Sequence, residues 1–382
     1  MQGATTEMTN AAEMQQRVEQ FAGQVVTDLA AAMAGVMTNL GHKLGLYRAM
    51  AESGPVTAEQ LARRTSTNER SVREWLHGQV AGDYVRFDAH SGQYTLPPEH
   101  AFVLANPESP AFLPPAFDVA ASLWHDEDEI FEAFRSGKGM GWHEHNCRLF
   151  SATEAFFRNG YRAHLTQSWI PALDGVQERL AEGGRVADVG CGHGASAILM
   201  AQAFPKATIV GIDYHESSIA VAKERAKEAG VGDRVRFEVG TARVLASRDE
   251  KFDLICFMDS LHDMGDPLEA VWAARQALAQ DRALMLVEPF AKDTPEENGR
   301  SYSEDVLLGF SRALHAERVV AGRTVRAWRA GRSKAVAGNR EGGGIPKRSG
   351  CDGDTVQSDS GGKGVEQGSG SLDVSRVGAI PL

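Results

Sequence analysis

Two carboxylates and a run of glycines mark the first place where this chain could do chemistry. Asp188 stands two residues ahead of Gly190, Cys191 and Gly192, with Gly194 closing the run, and Asp213 follows after a further strand-length segment. Glycines let a backbone approach a ligand closely, and an acid at the end of the next strand can accept two hydrogen bonds from a sugar diol. A second centre lies in Met258-Asp259-Ser260-Leu261-His262-Asp263-Met264. An imidazole with its ordinary pKa near about 6.5 can take the proton of a hydroxyl at neutral pH, and that loss makes the oxygen a nucleophile. Plainer readings stay open beside these. Asp213 can cap the helix that begins near Ser217, and His262 can cap a helix or pair with Asp266.

These groups need a scaffold that brings them together. Apolar β-forming runs predict strands at 186–189, 208–212, 235–239, 252–257 and 283–287, with helices between them, including 217–229 and 268–278. Alternation of this kind gives a parallel sheet covered on both faces, with ligands at the carboxyl ends of its strands. The glycine spacing is G-x-G-x-G, not the G-x-G-x-x-G of dinucleotide-binding folds.

With Asp188 ahead of it, that spacing resembles motif I of the class I S-adenosylmethionine (SAM) methyltransferases. The segment around His262 resembles the His-Asp segment of plant-type O-methyltransferases, with Met264 where a tryptophan is usual. The resemblance covers roughly Val18 to Ser311 and includes the domain order of plant-type and bacterial small-molecule enzymes. It implies an α/β fold, a Rossmann-like parallel sheet of which five strands are readable and the last two of the usual seven are missing, behind an N-terminal winged-helix domain. It implies SAM as cofactor and a small-molecule hydroxyl as acceptor. By the same resemblance Asp188 meets the methionine amino group, and Gly190, Cys191 and Gly192 pass under methionine and ribose. Asp213 holds the ribose hydroxyls, Tyr214 borders the adenine, Thr241 and Ala242 lie at the adenine edge, and Met258 or Asp259 sits near the sulfonium. His262 is then the general base, with Glu288 placed to orient it.

The N-terminal third supplies the other domain. Residues 13–50 are helical in pattern, with Val18, Phe21, Val25, Leu29, Met33, Val36 and Leu40 apolar, and Gly41 and Gly45 are expected to break the run. A helix this apolar needs a partner surface, either its own domain or a second copy in a homodimer. From Pro55 to Leu104, two short helices and two strands around the turn 89–92 read as a winged helix. Its rival function is transcriptional regulation, with the second domain binding SAM without catalysis. Arg63, Arg64, Arg70 and Arg73 are offset by Glu59, Glu69, Glu74 and Asp83, so no basic footprint results and nucleic acid is not expected. Between the domains, 106–184 is rich in aromatics. The His143-Glu144-His145 cluster there lacks further spaced ligands, so no metal is expected.

Composition bounds the rest. The 382 residues carry a net charge of −11. No run of about 18 apolar residues and no leader pattern is read, which predicts a cytoplasmic protein without a membrane. Cys147, Cys191, Cys256 and Cys351 form no C-x-x-C pair, so neither zinc nor a disulfide framework is expected. The domain reading is 13–104 helical and winged-helix, 105–184 linker and pocket, 185–314 SAM-binding, and 315–382 tail. From Gly309 onward the last 74 residues hold 15 of the 40 glycines, and their net charge is +5 against −16 for the rest. That change of class, after a Gly309-Phe310-Ser311 that fits the family, predicts a disordered or frameshifted terminus.

Overall fold

The computed structural model describes residues 2–288, with side chains from residue 12. The segment 315–382 and any sixth and seventh strands lie outside the described residues. The chain divides into two compact units, one up to Ala121 and one from Ser122.

In the first unit, α1 (Gln2–Lys43) runs straight through Gly41, and the chain turns only at Gly45, φ 69°, before α2 (Leu46–Ser53). Gly41 therefore does not break the helix as expected. It makes room for rings instead: a Cβ there would stand 2.8 Å from the Tyr47 ring and would also strike Trp75. The Trp75 indole donates to Met37 O at 2.8 Å, fixing its own helix against α1. α3 (Ala58–Thr65) starts with a capping box in which Thr57 Oγ1 accepts from Gln60 N at 3.2 Å and Gln60 Oε1 accepts from Thr57 N at 2.9 Å. α4 (Glu69–Ala81) is capped by Asn68, and β1 (Arg86–Asp88) pairs antiparallel with β2 (Gln93–Thr95) as the wing. Leu46, Tyr47, Leu61, Trp75 and Leu76 are its buried core.

From residue 12 to residue 34, α1 is exposed all round. Phe21 is 66% exposed, and Val18, Val25, Leu29, Met33, Val36 and Leu40 are exposed with it. By length and composition Ala12–Lys43 could cross a membrane, where the sequence reading saw no such run. The difference arises because alanines and glycines between the large side chains keep the mean hydropathy high without forming an unbroken apolar block.

α6 (Pro114–His125), preceded by α5 (Pro98–Leu104), passes the boundary at Ala121 and is followed by α7 (Glu127–Ser136), α8 (Cys147–His164) and α9 (Val176–Glu182). Then come β3 (Arg185–Val189), α10 (Ala195–Ala203), β4 (Thr208–Asp213), α11 (Glu216–Glu228), β5 (Val235–Val239), β6 (Phe252–Met258), α12 (Pro267–Ala277) and β7 (Leu278–Val287). Among the described residues, the five strands of this unit are parallel in the order β5-β4-β3-β6-β7. Alternate residues bury on opposite faces. Val186, Leu254 and Cys256 pack with Ile198, Met200 and Ile219, while Ala187, Val189, Ile255 and Phe257 pack with Ala270, Ala273, Ala274 and Ala277. Both faces are covered, as a parallel sheet requires. The order reverses between β3 and β6, and the crevice at that switch point is where the chemistry-bearing side chains gather. β7 begins earlier than the expected 283 because Leu278 already pairs with Phe252, after which a register shift restores regular pairing at Ala283 and Leu254.

Candidate functional site

Three loops meet above the carboxyl ends of β3, β4 and β6. The first carries Gly190, Cys191, Gly192 and Gly194, all three glycines in the left-handed region at φ 73°, 51° and 80°. Gly190 N and Cys191 N both donate to Ile212 O, at 2.7 and 3.1 Å, which ties the loop to β4. Gly190 also has to be small. A Cβ there would lie 2.7 Å from Ser260 Oγ, and that hydroxyl donates to Val189 O at 2.7 Å.

Asp188 lies beneath the loop with no exposed surface. Its Oδ2 accepts from Ser196 Oγ at 2.5 Å, whereas its Oδ1 is buried without a partner. Burial raises its pKa to about 6 against the opposing Ser196 bond, with the Asp213 charge adding to the rise. An orphaned, fully buried carboxylate oxygen is costly unless a donor or cation completes it.

Asp213, at the end of β4, is 9% exposed. Its two oxygens accept from Gly192 N and His215 N, each at 2.9 Å, so it braces the glycine loop as well as facing the crevice. Burial raises its pKa against those two bonds. It does not cap α11, whose N-cap is His215. Tyr214 is half-exposed, and its hydroxyl accepts from His143 N at 3.1 Å. Thr241 is exposed and Ala242 buried, just past β5. Met258, at the end of β6, is buried.

The second centre is built around His262, on the turn Leu261–Asp263 after β6. Its Nδ1 hydrogen-bonds Glu288 Oε2, while Glu288 Oε1 accepts from Ser260 N at 3.2 Å and from Leu261 N at 2.8 Å. One carboxylate thus holds both the imidazole and the backbone that carries it. Nε2 lies 3.4 Å from Asp263 Oδ1, and Asp259 Oδ1 lies 4.0 Å from Nδ1. Asp266 is not its partner, being the N-cap of α12. Burial alone lowers an imidazole pKa, but Asp263, Glu288 and Asp259 outweigh it and raise His262 to about 10. The ordinary value used in reading the sequence is therefore corrected, because the surrounding carboxylates make the imidazole hold its proton at neutral pH. Asp259 sits at φ 54°, an uncommon conformation for a residue with a Cβ, and burial raises it to about 8.

Several contributors were not picked out from the sequence. Ser196, eight residues after Asp188 in the first turn of α10, and Ser260 are local enough to have been found. Tyr161 on α8 is buried, and its pKa is raised first by burial and then by the carboxylates of Asp259, Asp188 and Glu288, which places it beside the same crevice. No spacing betrays it. His143 and His145 do not converge: the first meets Tyr214, and the second, buried, pairs with Asp126 at 3.1 Å.

Comparison with known proteins matches both units. The Rv2258c-like winged HTH domain model matches residues 31–106, and a methyltransferase domain model matches 180–317. The 27-O-demethylrifamycin SV methyltransferase of Amycolatopsis mediterranei is 37% identical over 107 residues, 28% of this chain and 39% of that protein. The ubiquinone biosynthesis O-methyltransferase of Paracidovorax citrulli is 37% identical over 109 residues, 28% of this chain and 43% of that protein. The chain thus spans about two fifths of the length of these relatives. Among solved structures, an O-methyltransferase-like protein from Nostoc punctiforme shares the fold at a TM-score of 0.59 and 20% identity, over 77% of this chain and 86% of that one. The human N-acetylserotonin methyltransferase, solved in complex with SAM, shares it at 0.54 and 16%, over 78% and 91%. The chain therefore carries an N-terminal winged helix-turn-helix domain of the Rv2258c-like kind followed by a methyltransferase domain.

Proposed function

We propose that this chain transfers a methyl group from SAM to a hydroxyl oxygen of a small molecule. The observation that carries the reading is the meeting, at the switch point of one parallel sheet, of a buried carboxylate with one unpartnered oxygen, a glycine loop and a carboxylate-braced histidine. The residues fit the cofactor. Asp188 Oδ1 lacks the donor that an amino group would supply, the loop is open at Gly192, where a Cβ would meet nothing within 4 Å, and Asp213 and Tyr214 stand at the next strand end. When bound, SAM supplies an electrophilic methyl group on a sulfonium. Everything else falls to the chain. His262, once its Nε2 proton has passed to solvent, takes the acceptor's proton there, and Glu288 fixes the ring through Nδ1, so turnover should rise with pH toward the raised imidazole pKa of about 10.

A homodimer through α1 belongs to this reading, supported by the apolar stripe from Val18 to Leu40. The winged helix serves that assembly and not nucleic acid, since Arg63 pairs with Glu59 at 3.6 Å, Arg86 with Glu99 at 3.5 Å, and Arg73 with Glu69. The proposed compartment is the cytoplasm. The reading is tested by incubating the protein with labelled SAM and a panel of phenolic and alcoholic acceptors, parent beside His262→Ala. Transfer to none of them, or equal transfer by the variant, sinks it.

A further inference from the structure

We propose that Asp259, His262 and Glu288 form a binding site for a divalent transition-metal ion of the zinc and cobalt class, in competition with the hydrogen bonding that serves His262. This goes beyond the methyl-transfer reading: the site itself does not depend on it, and only its effect on proton abstraction rests on it. One imidazole nitrogen and two carboxylate oxygens from these residues lie within 4.8 Å of one another. Mixed nitrogen and oxygen donors of this kind suit zinc, cobalt and their neighbours better than magnesium or calcium.

A second observation points to a ligand. Asp259 Oδ1 is buried without a partner, in a side chain only 8% exposed, and it faces Nδ1 of His262 at 4.0 Å. A cation between them would satisfy that oxygen. The supporting contacts are already present: Glu288 Oε1 is occupied by two backbone N–H groups, which leaves Oε2 for an ion, and Asp259 is pinned by its N–H to Val287 O at 2.7 Å. A tetrahedral ion about 2.1 Å from each ligand holds them roughly 3.4 Å apart, so Asp259 and His262, 4.0 Å apart, need to close by about half an ångström, and His262 and Glu288, in direct hydrogen bond, must part to admit it. The remaining position goes to water. Binding replaces the proton on Nδ1 and takes His262 off Glu288, so the ion inhibits proton abstraction. No spacing in the sequence shows this donor set, because its third member is 26 residues and one strand away from His262.

Titrating the full chain with Zn²⁺ by calorimetry and with Co²⁺ by visible absorption tests the site, with near-ultraviolet circular dichroism as the check on folding. The expected result is one saturable site with visible cobalt bands and no near-ultraviolet thiolate band. Asp259→Asn and His262→Gln should each weaken binding by at least the roughly 10–100-fold lost when a metal's supporting contacts are disturbed. Should Asp259→Asn fail to fold, Glu288→Gln carries the same expectation. Absence of saturable binding, binding that survives these substitutions, or a thiolate band from a cysteine such as Cys147 overturns the site. Methyl transfer in the presence of a chelator is a separate measurement. Metal binding without turnover leaves this site standing and sinks the enzymatic reading, and turnover without metal binding does the reverse.

Discussion

Asp188 shows how one side chain couples stability to ligand affinity. Its carboxyl ionises near pH 6 in the folded protein and near the ordinary value of 3.8 in the unfolded chain. The folded state therefore binds the proton more tightly, and the destabilisation this causes grows as pH rises from 3.8 and is complete above about 6. Asp188→Asn should thus stabilise the free protein at pH 7 by up to about 3 kcal/mol while weakening its hold on a cationic amino group. For the parent, SAM affinity should fall as pH drops through about 6, and the Asn variant should flatten that profile in calorimetry. An affinity indifferent to pH from 5 to 7.5 would remove Asp188 from the site. His262→Ala should keep SAM affinity and lose turnover by the roughly 10²–10⁴-fold expected for a general base. Asp188 and His262 were legible in the sequence because motif and spacing flag them. Their ionisation was not, since that of Asp188 depends on its burial and that of His262 on Asp263 and Glu288 crowding the ring, both facts of tertiary structure.

At the scale of elements, the glycine loop and the turn after β6 are locked together through Gly190 and Ser260. Gly190→Ala should cost about 2–4 kcal/mol, part from the left-handed backbone and part from the collision with Ser260. Adding Ser260→Gly, which removes the Ser260 Cβ that is the nearest atom met, should return only the collision's share, which a denaturant titration of the single and double variants can read. Full recovery would mean that backbone conformation contributes nothing there. The strands were legible from period and composition because parallel strands buried on both faces read as short apolar runs. Gly41 was misread for an instructive reason: in sequence a glycine looks like a break, and only the rings of Tyr47 and Trp75 packed over it show that it serves close approach.

At the scale of the whole molecule, the exposed stripe on α1 decides the assembly. Phe21→Asp with Val25→Asp should convert the proposed dimer to a monomer in light scattering while leaving the winged-helix core, and so its thermal transition, nearly unchanged. A parent that is already monomeric at high concentration would refute the dimer. Removing residues 321–382, whose sequence offers no alternating apolar strand, should leave the thermal midpoint within about a degree or two, as expected when little apolar area is lost. The two-domain plan was readable from composition and motif order alone. The membrane-length apolarity of α1 was not, because counting consecutive large residues misses a helix that is apolar through its alanines.

Glu288 follows the last residue of β7, which among the described residues is an outer strand of the sheet, as β5 is at the other side. An outer strand frays first, since it has neighbours on one side only. Arg282 is a clasp against this, its Nε donating to Asp253 Oδ1 at 2.8 Å across to β6. When the end of β7 loosens, His262 loses its brace and Ser260 and Leu261 lose their acceptor, although the other four strands keep their pairing. Heat should therefore silence this protein before it melts it: turnover should fade several degrees below the loss of ellipticity, and Asp253→Ala should widen the gap.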